Sequence, residues 1–266
     1  MFDTPESVEA RGASGSKATA IDVVILTWND NGIERLAFDS AHASTGVHAA
    51  VVLVDNGSEP PVDDYFLGPE DRIIRLERNE GVARGRNIGA RAGTSDLICF
   101  LDSDAVLHPN TLSILAEVIR SDPTIALAAP VFDDQDPTDS GGRAPTLGRK
   151  LQRASGRTSA YASGTPHRGV IEVDFAIGAC QLVRRDLFEQ VGGLDERYFY
   201  GPEDADFCMR LRLAGWRVVQ VPAAGCEHPP RRRNRRLLTA RGIRHGAAVL
   251  RFLWRYRNYR RQVPLP

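Results

Sequence analysis

No stretch of this chain reaches the roughly 18 consecutive apolar residues of a membrane-crossing helix. Met1 to Ala20 is polar and rich in Ser, Gly and Ala, not an apolar leader. It reads as a disordered segment over 1–20 with no signal peptide. The four cysteines, Cys99, Cys180, Cys208 and Cys226, form no CxxC pair. That spacing argues against a zinc ribbon and a redox dithiol, and predicts reduced, mostly buried thiols in a cytoplasmic protein. Internal repeats are absent, as are a GxGxxG fingerprint and a GK[ST] phosphate loop. The last absence is of charge. All 34 acidic residues lie at or before Glu227, against 22 of the 34 Lys and Arg, so the body is formally −12 and the stretch from His228 onward, with twelve arginines, is +12. Such a split points to a tail with its own electrostatic partner.

What remains suits one α/β domain with additions: 266 residues, 42% of them apolar. The short apolar β-branched run Ile21–Leu26 predicts a buried parallel strand, and further strands are read over Ala49–Val54, Arg72–Leu76, Leu97–Leu101, Ile125–Val131 and Arg217–Val221. Val170–Val183 is also strand-like. Helices are predicted over Asn31–Ala43, Pro109–Arg120, Asp186–Val191 and Pro202–Ala214. Gly81–Gly93 reads as a loop leading into a helix, and residues 133–169 as a mobile insertion. Strands alternating with helices at this spacing predict a mostly parallel sheet covered on both faces.

Several short motifs carry chemistry, each with a plainer alternative. Asp102-Ser103-Asp104 leaves the Leu97–Leu101 strand at its carboxyl end, where open α/β sheets bind ligands. Two carboxylates one residue apart suit a hard cation shared with phosphate oxygens, or a turn in which they cap backbone amides. Asp55 follows another strand and is suited to a nucleobase, a ribose or an Asx turn. Arg86 lies among Gly81, Gly85 and Gly89, placed for a phosphate or for an ordinary solvated helix start. Glu203 and Asp204 open a helix, where the macrodipole favours acids in any case; the functional reading is a general base. His228 is either a surface histidine or a neutral metal ligand. Trp28, after Thr27 and before Asn29, stacks on a base or packs on the sheet edge. Together these sites predict an enzyme acting on a phosphorylated substrate.

The ordered set VVILTWND, VVLVDNGS, NEGVARGRNIGARAG, LICFLDSDAVLHPNTL and GGLDERYFYGPEDADFCMRLRLAGW resembles the inverting nucleotide-sugar glycosyltransferases of family 2 with the GT-A fold. The last segment is most similar to a rhamnosyltransferase-like branch that builds surface polysaccharides. The resemblance covers 21–228 and implies a Rossmann-like, mostly parallel sheet with a nucleotide half near 21–131 and an acceptor half near 170–228. It places Thr27, Trp28, Asn29, Asp55, Arg86, Asp102, Ser103 and Gly178 at the nucleotide-sugar. It gives Mn²⁺ or Mg²⁺ to Asp104, Asp102 and His228, and makes Asp204 the base with Glu203 beside it. Here Pro229-Pro230 and arginines follow His228 where many relatives have a small Gly/Ser-rich loop.

The tail, 229–266, interleaves Leu, Ile, Val, Phe, Trp and Tyr with arginine, the pattern of a basic amphipathic helix. It fits an anionic membrane surface, placing the enzyme peripherally on the inner face of the plasma membrane, or a helix packed on the body. No nucleic-acid module is recognisable, so nucleic acid is not expected as a partner. The partners implied are a nucleotide-diphospho-sugar donor and a hydroxyl-bearing acceptor: a glycan, a lipid-linked glycan or a small molecule. Two other classes compete. A sugar nucleotidyltransferase would carry a Gly-rich, lysine-containing loop where Trp28-Asn29-Asp30 stands. A non-catalytic nucleotide-sugar binder would have no need of Glu203-Asp204.

Overall fold

Alternate residues of the first strand feed two different cores, and this two-sidedness organises the molecule. The computed structural model describes residues 18–133, 140–144, 165–167, 169–229, 240–259 and 263. In β1 (Thr19–Thr27), Val23 and Ile25 face a core shared with α1 (Glu34–His42) and α3 (Thr111–Ser121), while Val24 faces one shared with α2 (Val82–Ala92), α4 (Arg185–Gln190) and α5 (Glu203–Leu213). Side chains alternate across a strand, so a β-branched run without polar interruption can only be buried on both faces.

The remaining strands of the main sheet are β2 (Val47–Asp55), β3 (Arg72–Arg75), β4 (Leu97–Asp102), β5 (Val106–Leu107), β6 (Ile125–Phe132), β8 (Thr165–His167), β9 (Val170–Glu172), β11 (Cys180–Arg184) and β12 (Arg217–Glu227). Their order is β3-β2-β1-β4-β11-β6-β12-β9-β8, with β5 paired to β12. β7 (Gly141–Gly142) and β10 (Phe175–Ala176) make a separate two-stranded sheet. The pairs β1–β2, β1–β4, β2–β3 and β6–β12 are parallel, as the strand–helix alternation predicts. β11 is antiparallel to both β4 and β6. It enters the sheet at the carboxyl end of β4, where Cys180 pairs with Leu101 and the Asp102 N–H donates to the Ala179 carbonyl. Running the opposite way is what delivers Gly178 and Ala179 to that end of the sheet.

Four boundaries differ from the sequence reading. α1 starts at Glu34, because Asn31 (φ 52 to 55° with Asn29) and Gly32 (φ 90°) turn the chain first. Gly81–Gly93 is almost entirely helix. Gly85 and Gly89 are packing residues there: a Cβ on Gly85 would meet Leu26 Cδ1 at 2.4 Å, and one on Gly89 would meet Val24 Cγ1 at 2.4 Å. Missing side chains let α2 lie against β1. Val170–Val183 is three short strands, and β12 runs on to Glu227 through a register shift between Val221 and Gly225. Of the expected disordered segment 1–20, residues 1–17 lie outside the described residues, and β1 already begins at Thr19. The expected insertion at 133–169 falls mostly outside them too; its described parts include β7 and β8.

The four cysteines are free thiols and all buried. In the tail, α6 (Ala240–Arg255) packs on α5: Ala248, Phe252, Tyr256 and Tyr259 share a cluster with Tyr198, Ala205 and Met209. Of the two readings of the tail, packing on the body is therefore realised by one face of this helix. Residues 230–239 lie outside the described residues, and no described helix is long and apolar enough to cross a membrane.

Candidate active site

At the carboxyl ends of β1 and β4, the starts of α2, β11 and α5 and the end of β12 enclose a cavity of about 350 Å³. Ligands bind outside the carboxyl ends of strands in such sheets because loops there are free to vary over a rigid scaffold. The walls include Thr27, Trp28, Arg86, Asp102, Ser103, Asp104, Gly178, Glu203, Asp204 and His228. Residues from seven separate segments, up to 202 positions apart in sequence between Leu26 and His228, meet in one hollow.

The acidic turn and β12 bring Asp102, Asp104 and His228 together, with one potential ligand atom from each lying within 4.8 Å of the others. His228 Nε2 is 3.8 Å from Asp102 Oδ2 and 3.7 Å from Asp104 Oδ1, spacings too long for hydrogen bonds and suited to atoms arranged around a shared cation. Two carboxylates and an imidazole form a donor set of the kind that Mn²⁺ accepts, and a partial shell of this sort leaves room for phosphate oxygens. The His228 ring rests on Phe132, centroids 5.1 Å apart. A second group, His108, Asp133 and Glu227, satisfies the same distance criterion but does not line the cavity.

Arg86 is held rather than free. It is buried, and its Nη2 donates to Asp102 Oδ1 at 2.5 Å and to the Gly178 carbonyl at 2.6 Å. The Gly178 N–H in turn donates to Asp204 Oδ2 at 3.0 Å, so Gly178 and Arg86 together link the acidic turn to the start of α5. A Cβ at Gly178 would sit 2.6 Å from Arg86 Nη1 and 3.2 Å from Asp204 Cβ. The absent side chain therefore accommodates the protein's own groups.

Glu203 and Asp204 differ in surroundings. Asp204 Oδ1 accepts the Ala205 N–H at 2.7 Å, and each carboxylate oxygen keeps a further lone pair. Enclosure in the cavity wall raises its pKa above the usual carboxylate value, opposed by backbone hydrogen bonds and the Arg86 cation. Glu203 is buried, and its Oε2 has no hydrogen-bond partner among the described residues. Burial, then the neighbouring Asp204 charge, pushes it up to about 7.

Two expected nucleotide contacts, Asp55 and Asn29, are not among the residues that line the cavity. The Asp55 carboxylate accepts the Ser58 and Val62 N–H groups, at 2.9 and 3.0 Å, and does not line the cavity. Asn29 accepts the Glu59 N–H through its side chain and donates its own N–H to Ser58 Oγ, tying the loop after β1 to the loop after β2. Both act on the loop framework. Conversely, sequence reasoning passed over Asp30, Asn56, Asn79, Phe199 and Tyr200, which do line the cavity. Asp30 accepts from the Thr27 and Ser103 hydroxyls, linking the first strand to the acidic turn. Asn56 donates to Asn79 Oδ1 and accepts the Glu80 N–H. The signal for Asp30 and Asn56 lay in the quoted WND and DNGS segments, and that for Asn79, Phe199 and Tyr200 in NEGVARG and RYFYG, read there for their neighbours only.

Comparison with known proteins gives the family and the fold. Residues 22–192 match the family model described as glycosyl transferase family 2. A pre-mycofactocin glycosyltransferase of Mycobacterium tuberculosis is 32% identical over 248 residues, covering 90% of this chain and 49% of that protein. An N-acetylglucosaminyl-diphospho-decaprenol L-rhamnosyltransferase of the same species is 29% identical over 234 residues, covering 78% of this chain and 75% of that protein. The chain thus spans about half the length of the first relative and three-quarters of the second. The crystal structure of GalNAc-T7 with UDP, GalNAc and Mn²⁺ superposes with a TM-score of 0.66 at 17% identity, covering 91% of this chain and 50% of that one; it shares the GT-A fold. The match over most of the sheet and the whole acidic turn establishes that the chain belongs to glycosyl transferase family 2.

Proposed function

We propose that this chain transfers a sugar from a nucleotide-diphospho-sugar to an acceptor hydroxyl with inversion at the anomeric carbon. The observation that carries the reading is the facing of the Asp102–Asp104–His228 group and the Asp204 carboxylate across one cavity, bridged by Arg86 and Gly178. Expelling a nucleoside diphosphate builds negative charge on the leaving oxygens. Asp104, with Asp102 and His228, would hold a divalent cation, Mn²⁺ or Mg²⁺, whose Lewis acidity would offset it. Trp28 and Asn56 border the space for the nucleoside, with Asp55 and Asn29 fixing the loops that shape it. Asp204 takes the proton of the acceptor hydroxyl as it attacks from the side opposite the leaving group. Arg86 holds Asp102 in place, and its charge favours the ionised form of Asp204.

The acceptor proposed is the hydroxyl of a membrane-lipid-linked glycan, with the enzyme peripheral on the cytoplasmic face of the membrane in surface polysaccharide or glycoconjugate synthesis. The relative named above for a diphospho-decaprenol substrate supports that class. The test is a panel of nucleotide-sugars with Mn²⁺, read by nucleoside diphosphate release with and without acceptor and by the product's anomeric coupling in NMR. Release that needs acceptor and an inverted linkage are expected. A retained linkage, or binding without any release, overturns the reading.

A further inference from the structure

The helix α6 has two faces, and the body uses only one. Ala248, Phe252 and Tyr256 recur at every fourth position and are buried against α5, with Tyr259 continuing the contact. At 100° per residue, Leu250 and Trp254 fall on the opposite side. Both are 69% exposed. A tryptophan and a leucine one turn apart, each in water, make no contribution to packing on the body. Cations flank them: Arg251 is exposed, and the exposed Arg257 lies over the Trp254 ring, 4.5 Å from guanidinium carbon to centroid. No acidic residue follows Glu227 to neutralise this face from within the tail. The N-terminal part of the helix reaches the cavity wall, where His245 Nδ1 is 3.1 Å from the Tyr200 carbonyl and Tyr200 lines the cavity.

We infer that the Leu250–Trp254 face of α6, with Arg251 and Arg257 at its edge, docks on an anionic lipid surface and holds the Tyr200 wall of the cavity close to the membrane. The inference rests on the membrane-linked acceptor proposed above and names the surface that reaches it. The chemistry fits an interface: an indole and a leucine enter the headgroup boundary, while arginines stay at phosphate level. Each such cation adds attraction to anionic lipid that salt screens. The opposite face, committed to α5, fixes the orientation in which the body is held.

The test is flotation of the full chain with vesicles of phosphatidylcholine alone or mixed with phosphatidylglycerol. The chain is expected to bind the mixed vesicles at low salt, to leave them as salt rises, and to ignore phosphatidylcholine alone. The double substitution Leu250→Ser with Trp254→Ser should lower the partition coefficient by about tenfold or more, with Mn²⁺- and UDP-dependent thermal stabilisation unchanged. Brominated lipid should quench the Trp254 emission, and Trp254→Phe should remove that quenching. No binding at low salt, or full binding by the double variant, overturns the inference. So does light scattering that shows a dimer dissociated by the double substitution, because the face would then belong to a second copy. These readouts need no sugar transfer, so their failure and the failure of the catalytic proposal are separable.

Discussion

Asp204 and Glu203 share a helix end but not an environment, and their pH behaviour separates them. Asp204 faces the cavity through a carboxylate anchored by Gly178 and Ala205. A base must be ionised to accept a proton, so its raised pKa predicts a transfer rate that falls on the acid side from above the usual carboxylate range. Asp204→Asn should keep donor binding and lose turnover by roughly 10²-fold or more. Steady-state kinetics across pH decides the assignment: an acid limb that survives in Asp204→Asn and vanishes in Glu203→Gln would transfer the role to Glu203. For Glu203 the consequence is stability. Its folded pKa of about 7 lies above the ordinary value of 4.5. The folded state therefore binds the proton more tightly, and stability is lost as pH rises from about 4.5 to about 7. Glu203→Gln, neutral at every pH, should stabilise the ligand-free protein at pH 8 and give little at pH 4. Paired urea titrations at the two pH values measure it; an equal effect at both would mean Glu203 is not held neutral.

The element that ties this site to the tail is α5. Asp206, two residues beyond Asp204, is fully buried and accepts from Arg210 Nε at 2.8 Å, Arg255 Nη1 at 3.1 Å and the Tyr256 hydroxyl at 2.8 Å. A buried carboxylate is tolerable only with such partners. Tyr256→Phe removes a donor to a charged acceptor and should cost about 1.5–3 kcal/mol. Chemical denaturation is the measure, and a loss below about 0.5 kcal/mol would mean that α6 does not bear on α5 in solution. The helix α5 itself was legible: Pro202, a first turn rich in acid, then Phe207, Leu211 and a terminal Gly215. So were β1, β2, β4 and β6, each an apolar run of strand length. What escaped was set by distant partners. The antiparallel course of β11 depends on where the chain re-enters the sheet. The helical state of Gly85 and Gly89 follows from β1 lying against them, whereas their local preference is for a loop.

Over the whole molecule, the site is assembled from chain segments that only the folded sheet brings together, so its ligands should report on the fold. The DxD pair, the base and His228 were legible as residues because each sits at an element boundary where an acid or histidine stands out against apolar neighbours. Their convergence was legible only through the family resemblance; Asp30, Asn56 and Tyr200 needed the cavity to be seen. Binding across β1, β4, β11, α5 and β12 couples these elements in one equilibrium. Mn²⁺ with a nucleoside diphosphate at about a hundredfold over its Kd should add about 2.7 kcal/mol of stability. For a chain of this size that corresponds to a rise in Tm of very roughly 5–10 °C. Asp104→Ala should abolish the part of the shift that depends on metal, because it removes a carboxylate that lies with Asp102 and His228 but takes no part in the Arg86–Asp102 pair. Differential scanning fluorimetry with Mn²⁺ or EDTA reads this directly. Equal shifts in the two conditions for the unmodified chain would place nucleotide binding outside the Asp102–Asp104–His228 group and leave the acidic turn with the capping role that its sequence equally allows.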